Sequence, residues 1–171
     1  MTEFYIGKTF TIDEYELAYN WLQEQNNPYY AIEEIEAIDE VRQFQLVDKT
    51  PTAEEQAQER EIAFKTTFFE IPAIDGIFQG GYYRKVPKGY QSAVESINTA
   101  FNAVTVLGLL PQDYLIFYAK PDFTDETQCT EEWLVANQFR NQTMTAQEFG
   151  QFYVAFMTGW NNQEHKTDIL A

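Results

Sequence analysis

The chain predicts an α+β fold, and three observations carry that prediction. Apolar residues recur at helical spacing in several separate segments. Short alternating or continuous apolar runs, of strand length, lie between them. Gly, Pro, Asn and Asp punctuate the boundaries. The expected architecture is a small N-terminal βαββ unit over 1–48, joined by a polar helix within 49–70 to a main body over 71–171. That body should be mainly helical, with a short β-hairpin and a central strand. A length of 171 residues suits one domain with a small appendage.

Taken in order, "YIGKTFT" reads as a short strand. Thr11 followed by Glu14 has the spacing of a capping box, so a helix should start there. Ile12, Tyr15, Ala18, Tyr19 and Leu22 give that helix one apolar stripe. Asn26-Asn27-Pro28 ends it, because Pro28 lacks a donor and disfavours helix at the preceding residue. "YYAIEEIEAI" then reads as a strand, Asp39-Glu40 as a turn, and "VRQFQLV" as the returning strand, with Phe44 and Leu46 on one face. A βαββ unit of this size has a small core and is expected to dock on something.

A second capping pair, Thr52 with Glu55, opens a helix expected from Ala53 to about Phe68. Its first half, "AEEQAQERE", is polar nearly all round, the pattern of a helix that bridges solvent or meets a partner. Ile62, Phe64, Phe68 and Phe69 in its second half require burial. Glycines between Pro72 and Gly89 predict loop and hairpin, with the turn of "GIFQGGYYRKV" centred on Gly80-Gly81. A long helix follows, with Val94, Ile97, Phe101 and Val104 as its core stripe and Gly108 as its C-cap. "DYLIFYA" is the expected central strand. A helix from about Thr130 to Gln138 should bury Trp133 and Ala136. Thr145 with Glu148 then opens a last helix lined by Phe149, Phe152, Phe156 and Trp160.

Charge acts mainly by exclusion. With 27 acidic and 11 basic residues the formal charge is −16, which disfavours nucleic acid and anionic membrane surfaces as partners. The composition is 44% hydrophobic and 16% aromatic, enough to pack a core and to leave Tyr or Trp rings for an interface. Cys129 is the single cysteine, so neither an intramolecular disulfide nor a cysteine-based zinc site is expected. The start "MTEFYIGKTFTIDEY" lacks a basic region followed by an apolar run, so no secretory signal is expected. No run approaches the ~18 apolar residues of a membrane span.

Candidate chemistry is sparse. Nucleophilic catalysis usually requires a histidine base, and the one histidine, His165, lies in the polar C-terminal tail. Cys129 has no neighbouring cation in sequence and reads as inert. "DFTDETQ" places Asp122, Asp125 and Glu126 in one loop, read as Asx-turn and helix-capping residues rather than a cation site. Asn141-Gln142-Thr143 matches a glycosylation sequon that is read as chance. No phosphate-cradling loop is present, and no cofactor, metal or catalytic residue is assigned. The stretch from Gln79 to Ile97 stands out instead. Tyr82, Tyr83, Arg84, Lys85, Lys88 and Tyr90 gather cations and rings in an acidic chain and form the candidate partner contact. A purely structural account competes with it: a tight turn, a strand and a helix entry.

From about Pro51 onward the chain resembles small phage and prophage proteins encoded among tail genes. The resemblance rests on "PTAEEQAQERE" running into "AFKTTFFEIP", on "GYYRKVPKGY", on "SAVESINTAFNAV" and on "YAKPDFT". It implies a non-enzymatic tail-associated or tail-assembly protein that acts through protein–protein contacts, in the virion or the host bacterial cytoplasm. The implied partners are other phage tail proteins or a second copy of the chain. It supplies no catalytic residue.

Three other readings compete. An acidic DNA mimic would use the acids between Glu33 and Glu61 to inhibit a host nuclease or defence protein. A carbohydrate-binding module would use Trp133, Trp160 or tyrosines on its surface. A wall glycosidase would need two converging carboxylates.

Overall fold

Residues Asp39 and Glu40 both adopt left-handed backbone, at φ 50° and 64°. That is the geometry of a two-residue type I′ turn, whose twist matches that of paired strands. It joins β2 (Tyr30–Ile38) to β3 (Val41–Asp48) in an antiparallel pair. β1 (Thr9–Thr11) adds to the other edge of β3, giving the order β1-β3-β2. Helix α1 (Tyr15–Gln25) lies on one face, ended by Asn26 at φ 50°. The βαββ order is therefore as read from the sequence.

The computed structural model describes residues 3–86 and 92–163, and the chain divides into two units, Met1–Thr52 and Ala53–Ala171. The core of the first unit is small: Phe10, Ala18, Phe44 and Leu46, with Phe4, Trp21, Leu22 and Ile32 packed around it. The helix differs from its expected form. Thr11 makes no side-chain cap, and Ile12–Glu14 form a separate 3-10 turn before α1. The stripe turns with it: Ile12, Tyr15 and Tyr19 are exposed, while Ala18, Trp21 and Leu22 face the sheet.

In the second unit α2 (Ala53–Thr67) stops where β4 (Phe68–Ile71) begins. β5 (Gly81–Arg84), β7 (Ile116–Tyr118) and β8 (Gln138–Arg140) complete an antiparallel sheet of order β4-β5-β7-β8. β6 (Leu109–Leu110) and β9 (Met144–Thr145) form a separate pair. Helices α3 (Ala93–Leu107) and α5 (Ala146–Asn161) cover one face of the sheet. Phe69, Tyr83, Phe117 and Phe139 point into that layer, against Ile97, Phe152 and Phe156. The other face carries Phe68, Tyr82 and Tyr118 and is covered by Phe64, Phe123 and the short helix α4 (Glu131–Ala136). "DYLIFYA" supplies a central strand, since β7 is flanked on both sides.

Several expectations are corrected here. Phe68 and Phe69 are strand, not helix. Both faces of the sheet are covered, so both rings are buried and no alternation marks them. The hairpin turn is not centred on Gly80-Gly81: Gly81 opens the strand Gly81–Arg84, which pairs with Phe68–Ile71 across residues 72–80. Only Gly80 needs left-handed backbone, at φ 84°; a Cβ on Gly81 would sit 2.7 Å from the Phe139 ring. The segment read as a connector also divides, because α2 belongs to the second unit. Its Phe64 stacks on Phe68 at 4.6 Å, and Arg60 donates from Nε to the Phe123 carbonyl at 2.8 Å. In α3 the buried stripe is Ala93, Ile97, Ala100 and Val104, while Phe101 is 52% exposed. In α4 Leu134 is buried, Trp133 half-buried and Ala136 exposed.

Candidate functional site

The stretch singled out by its cations is mostly interior. Strand alternation sends Tyr82 to one side of the sheet and Tyr83 to the other, and both are buried, at 6% and 5%. Arg84 lies over the rings of Phe68 and Tyr118, at 4.9 and 5.5 Å, and bonds Glu131 through Nη2 at 2.8 Å. It fixes the start of α4 to the sheet. Lys85 is 2% exposed. Its backbone N–H donates to the Thr67 carbonyl at 2.9 Å and its Nζ to the Lys65 carbonyl at 2.7 Å. Both acceptors belong to the last turn of α2, so Lys85 caps that helix with main chain and ammonium together. Lys88 and Tyr90 lie outside the described residues, as does His165. Among the described members of the candidate contact, then, three are buried and Arg84 is committed to Glu131. Sheet and capping chemistry explains them.

Burial raises the Tyr83 phenol above its ordinary value, with a smaller opposing effect from a hydrogen bond to Ser96. The folded state therefore holds the Tyr83 proton to higher pH than the unfolded chain does. Its contribution to stability is complete below pH ~10 and is lost as pH rises through and above that value. Burial lowers the Lys85 ammonium, which works in the opposite sense over the same alkaline range. Urea unfolding at pH 8 and above pH 10 should thus show a smaller alkaline loss in Tyr83→Phe than in the parent chain. Equal losses would contradict this.

Asp122 and Asp125 each accept from a threonine two residues on, through both N–H and hydroxyl. These bonds lower both carboxyls below their usual range. They are Asx turns, and Asp125 also caps the short 3-10 turn before α4. Cys129 is half-buried. Arg60, brought close by the fold although distant in sequence, favours the thiolate, but burial outweighs it and pushes the thiol up. Asn141 is 2% exposed, and its amide is consumed by backbone groups, which rules out the sequon in the folded chain. The buried polar side chains among the described residues are Lys85 and Asn141.

An open groove of about 430 Å³ runs along β4, with Lys65, Glu70, Lys120, Thr158 and Asn162 at its rim and Phe68 and Phe69 below. Lys65 is paired with Glu61 at 3.0 Å.

Among the described residues, the outer side of α3 and α5 is a further surface of distinct character. Each helix opens with a complete capping box, Ser92 with Glu95 and Thr145 with Glu148. After those caps charge stops: Ser96–Gln112 and Phe149–Gln163 contain no Asp, Glu, Lys or Arg in a chain of net charge −16. Apolar side chains stand in solvent there, with Phe101 at 52%, Val106 at 83%, Leu107 at 57% and Val154 at 65% exposure. The helices run antiparallel, since Tyr153 lies at Asn98 and Phe101 at Phe149 and Tyr153. Sequence reading missed this face because the inward stripe of each helix draws attention first. The signal was available as two long uncharged runs in a highly charged chain.

No family model, curated protein or solved structure matches this chain. Its surface is therefore the basis for a functional reading.

Proposed function

We propose that this chain is a non-enzymatic bacteriophage or prophage tail-associated or tail-assembly protein that acts through protein–protein contacts. One observation carries the contact role: the uncharged face of α3 and α5, with its solvent-exposed Phe101, Val106, Leu107 and Val154. An uncharged surface with exposed apolar residues favours protein contact, because charge is depleted at the centre of interfaces. The tail assignment rests on the resemblance of "PTAEEQAQERE", "GYYRKVPKGY" and "YAKPDFT" to products of tail genes. The location proposed with it is the virion or the host bacterial cytoplasm. Among the described residues no helix is long and apolar enough to cross a membrane.

The competing readings draw less support. In the acidic segment Glu33 pairs with Lys49 at 2.6 Å, Glu34 with Arg42 at 2.7 Å and Glu61 with Lys65 at 3.0 Å, a poor imitation of a bare phosphate ladder. Trp133 and Trp160 are packed against neighbouring rings and do not form an exposed platform for sugar.

The test is co-purification with the products of neighbouring tail genes and detection in purified particles or assembly intermediates. The parent chain should be retained, and Val106→Glu with Val154→Glu should lose at least tenfold in capture. Failure of the parent chain to associate with any tail product or particle would overturn the proposal.

A further inference from the structure

We propose that the tip of the β2–β3 hairpin, residues 36–41, seats in an apolar notch bordered by lysine or arginine on a partner protein. This rests on reading the chain as one that acts through protein–protein contacts, and it adds a contact surface in the first unit.

The tip is a paired strand end that projects. β1 meets β3 over Gln43–Gln45, so beyond Gln43 the ribbon has two strands. Every residue from Glu36 to Arg42 is exposed. The ribbon holds its shape all the same, because Ile38 pairs with Val41 across the type I′ turn of Asp39 and Glu40. An element formed in advance loses less freedom on binding than a loose loop does.

A bulge aims it. Strict alternation would put Ile38 on the face of Ile32, which packs on the core of this unit. The register shifts by one residue between Ile35 and Ile38, which moves Ile38 to the opposite face, with Ile35 and Val41. Ile38 and Val41 then stand together in solvent, at 62% and 46% exposure. Threonine at both positions would hold the ribbon as well, being β-branched, so strand pairing does not account for the apolar pair.

Charge selects the partner. At the base of the hairpin Glu33 is paired with Lys49 and Glu34 with Arg42. At the tip Glu36, Asp39 and Glu40 make no ion pair among the described residues. Glu40 keeps its carboxylate at φ 64°, where this turn ordinarily takes glycine. An apolar pair among unpaired acids is complementary to an apolar floor with a cationic border. A second copy of the chain, with 11 basic against 27 acidic residues, is a poor source of that border.

The test is capture of the full chain by the neighbouring tail-gene products, at about 0.05 and about 0.5 M salt. Parent capture should weaken at high salt. Ile38→Thr with Val41→Thr should lose at least tenfold with an unchanged melting temperature. Asp39→Asn with Glu40→Gly should lose about fivefold at low salt although its melting temperature is equal or higher, because Asn-Gly suits the turn better. Parent-like capture by either variant would overturn the inference, as would parent capture that strengthens with salt. A parent chain captured by no tail product removes this inference and the functional proposal together. Tip variants that capture like the parent, while Val106→Glu with Val154→Glu does not, remove only this one.

Discussion

Gly159→Ala is expected to destabilise the second unit by about 3 kcal/mol, while Gly150→Ala on the same helix stabilises it by about 0.5–1 kcal/mol. Helix propensity alone predicts a gain at both positions, since alanine removes the backbone entropy that glycine carries. The packing separates them. A Cβ built on Gly150 meets nothing within 4 Å, but one built on Gly159 overlaps the backbone carbonyl oxygen of Glu70. That carbonyl belongs to β4 and cannot turn aside as a side-chain tip would. Helix α5 must therefore shift from the sheet, and Phe69 loses its contacts with Phe156 and Trp160, at 5.2 and 5.4 Å. The melting temperature should fall by roughly 10 °C for Gly159→Ala. A rise in both variants would contradict the close approach of α5 to β4.

Asn141→Leu should cost a similar amount, about 3 kcal/mol, although it exchanges a polar for an apolar buried side chain. The Asn141 Oδ1 accepts from the Leu115 N–H at 2.6 Å. Its Nδ2 donates to the carbonyls of Pro111 and Gln142, at 2.8 and 2.9 Å. Its own main chain bonds Asp113 and Leu115. One side chain thus satisfies three backbone groups, two in the segment from β6 to β7 and one just after β8. Leucine fills the volume and leaves those groups without partners. Asn141→Asp retains the acceptor and directs a carboxylate at two carbonyls, so it should not rescue stability at neutral pH. Denaturant unfolding of the two variants decides this, and parent-like stability for either would contradict the clamp.

Much of the fold was legible because local rules agreed with tertiary packing. Asn26, Asp39-Glu40 and Gly108 each marked a turn or cap that the backbone adopts with positive φ. Thr145 with Glu148 forms its capping box, and so does Ser92 with Glu95 in "SAVE". The failures have physical causes. Thr11 and Glu14 have the right spacing, yet the 3-10 turn between them takes the place of the cap. "FFEI" and "QFR" were missed as strands because one is buried on both faces and the other is three residues long. The cationic stretch misled for a different reason. Composition shows that charges cluster but not which way they point, and strand alternation with a helix end in need of donors draws Tyr82, Tyr83 and Lys85 inward. The uncharged helical face was written in the sequence as an absence, which residue-by-residue reading does not register.

The most direct test of the proposed contact face compares two variants of equal net charge for capture of the tail-gene products proposed as partners. Val106→Glu with Val154→Glu charges the face, whereas Gln58→Glu with Gln138→Glu adds the same charge at exposed positions elsewhere. The first pair should lose capture and the second should retain it. Equal capture by both pairs, or loss in both, would contradict a contact made through α3 and α5.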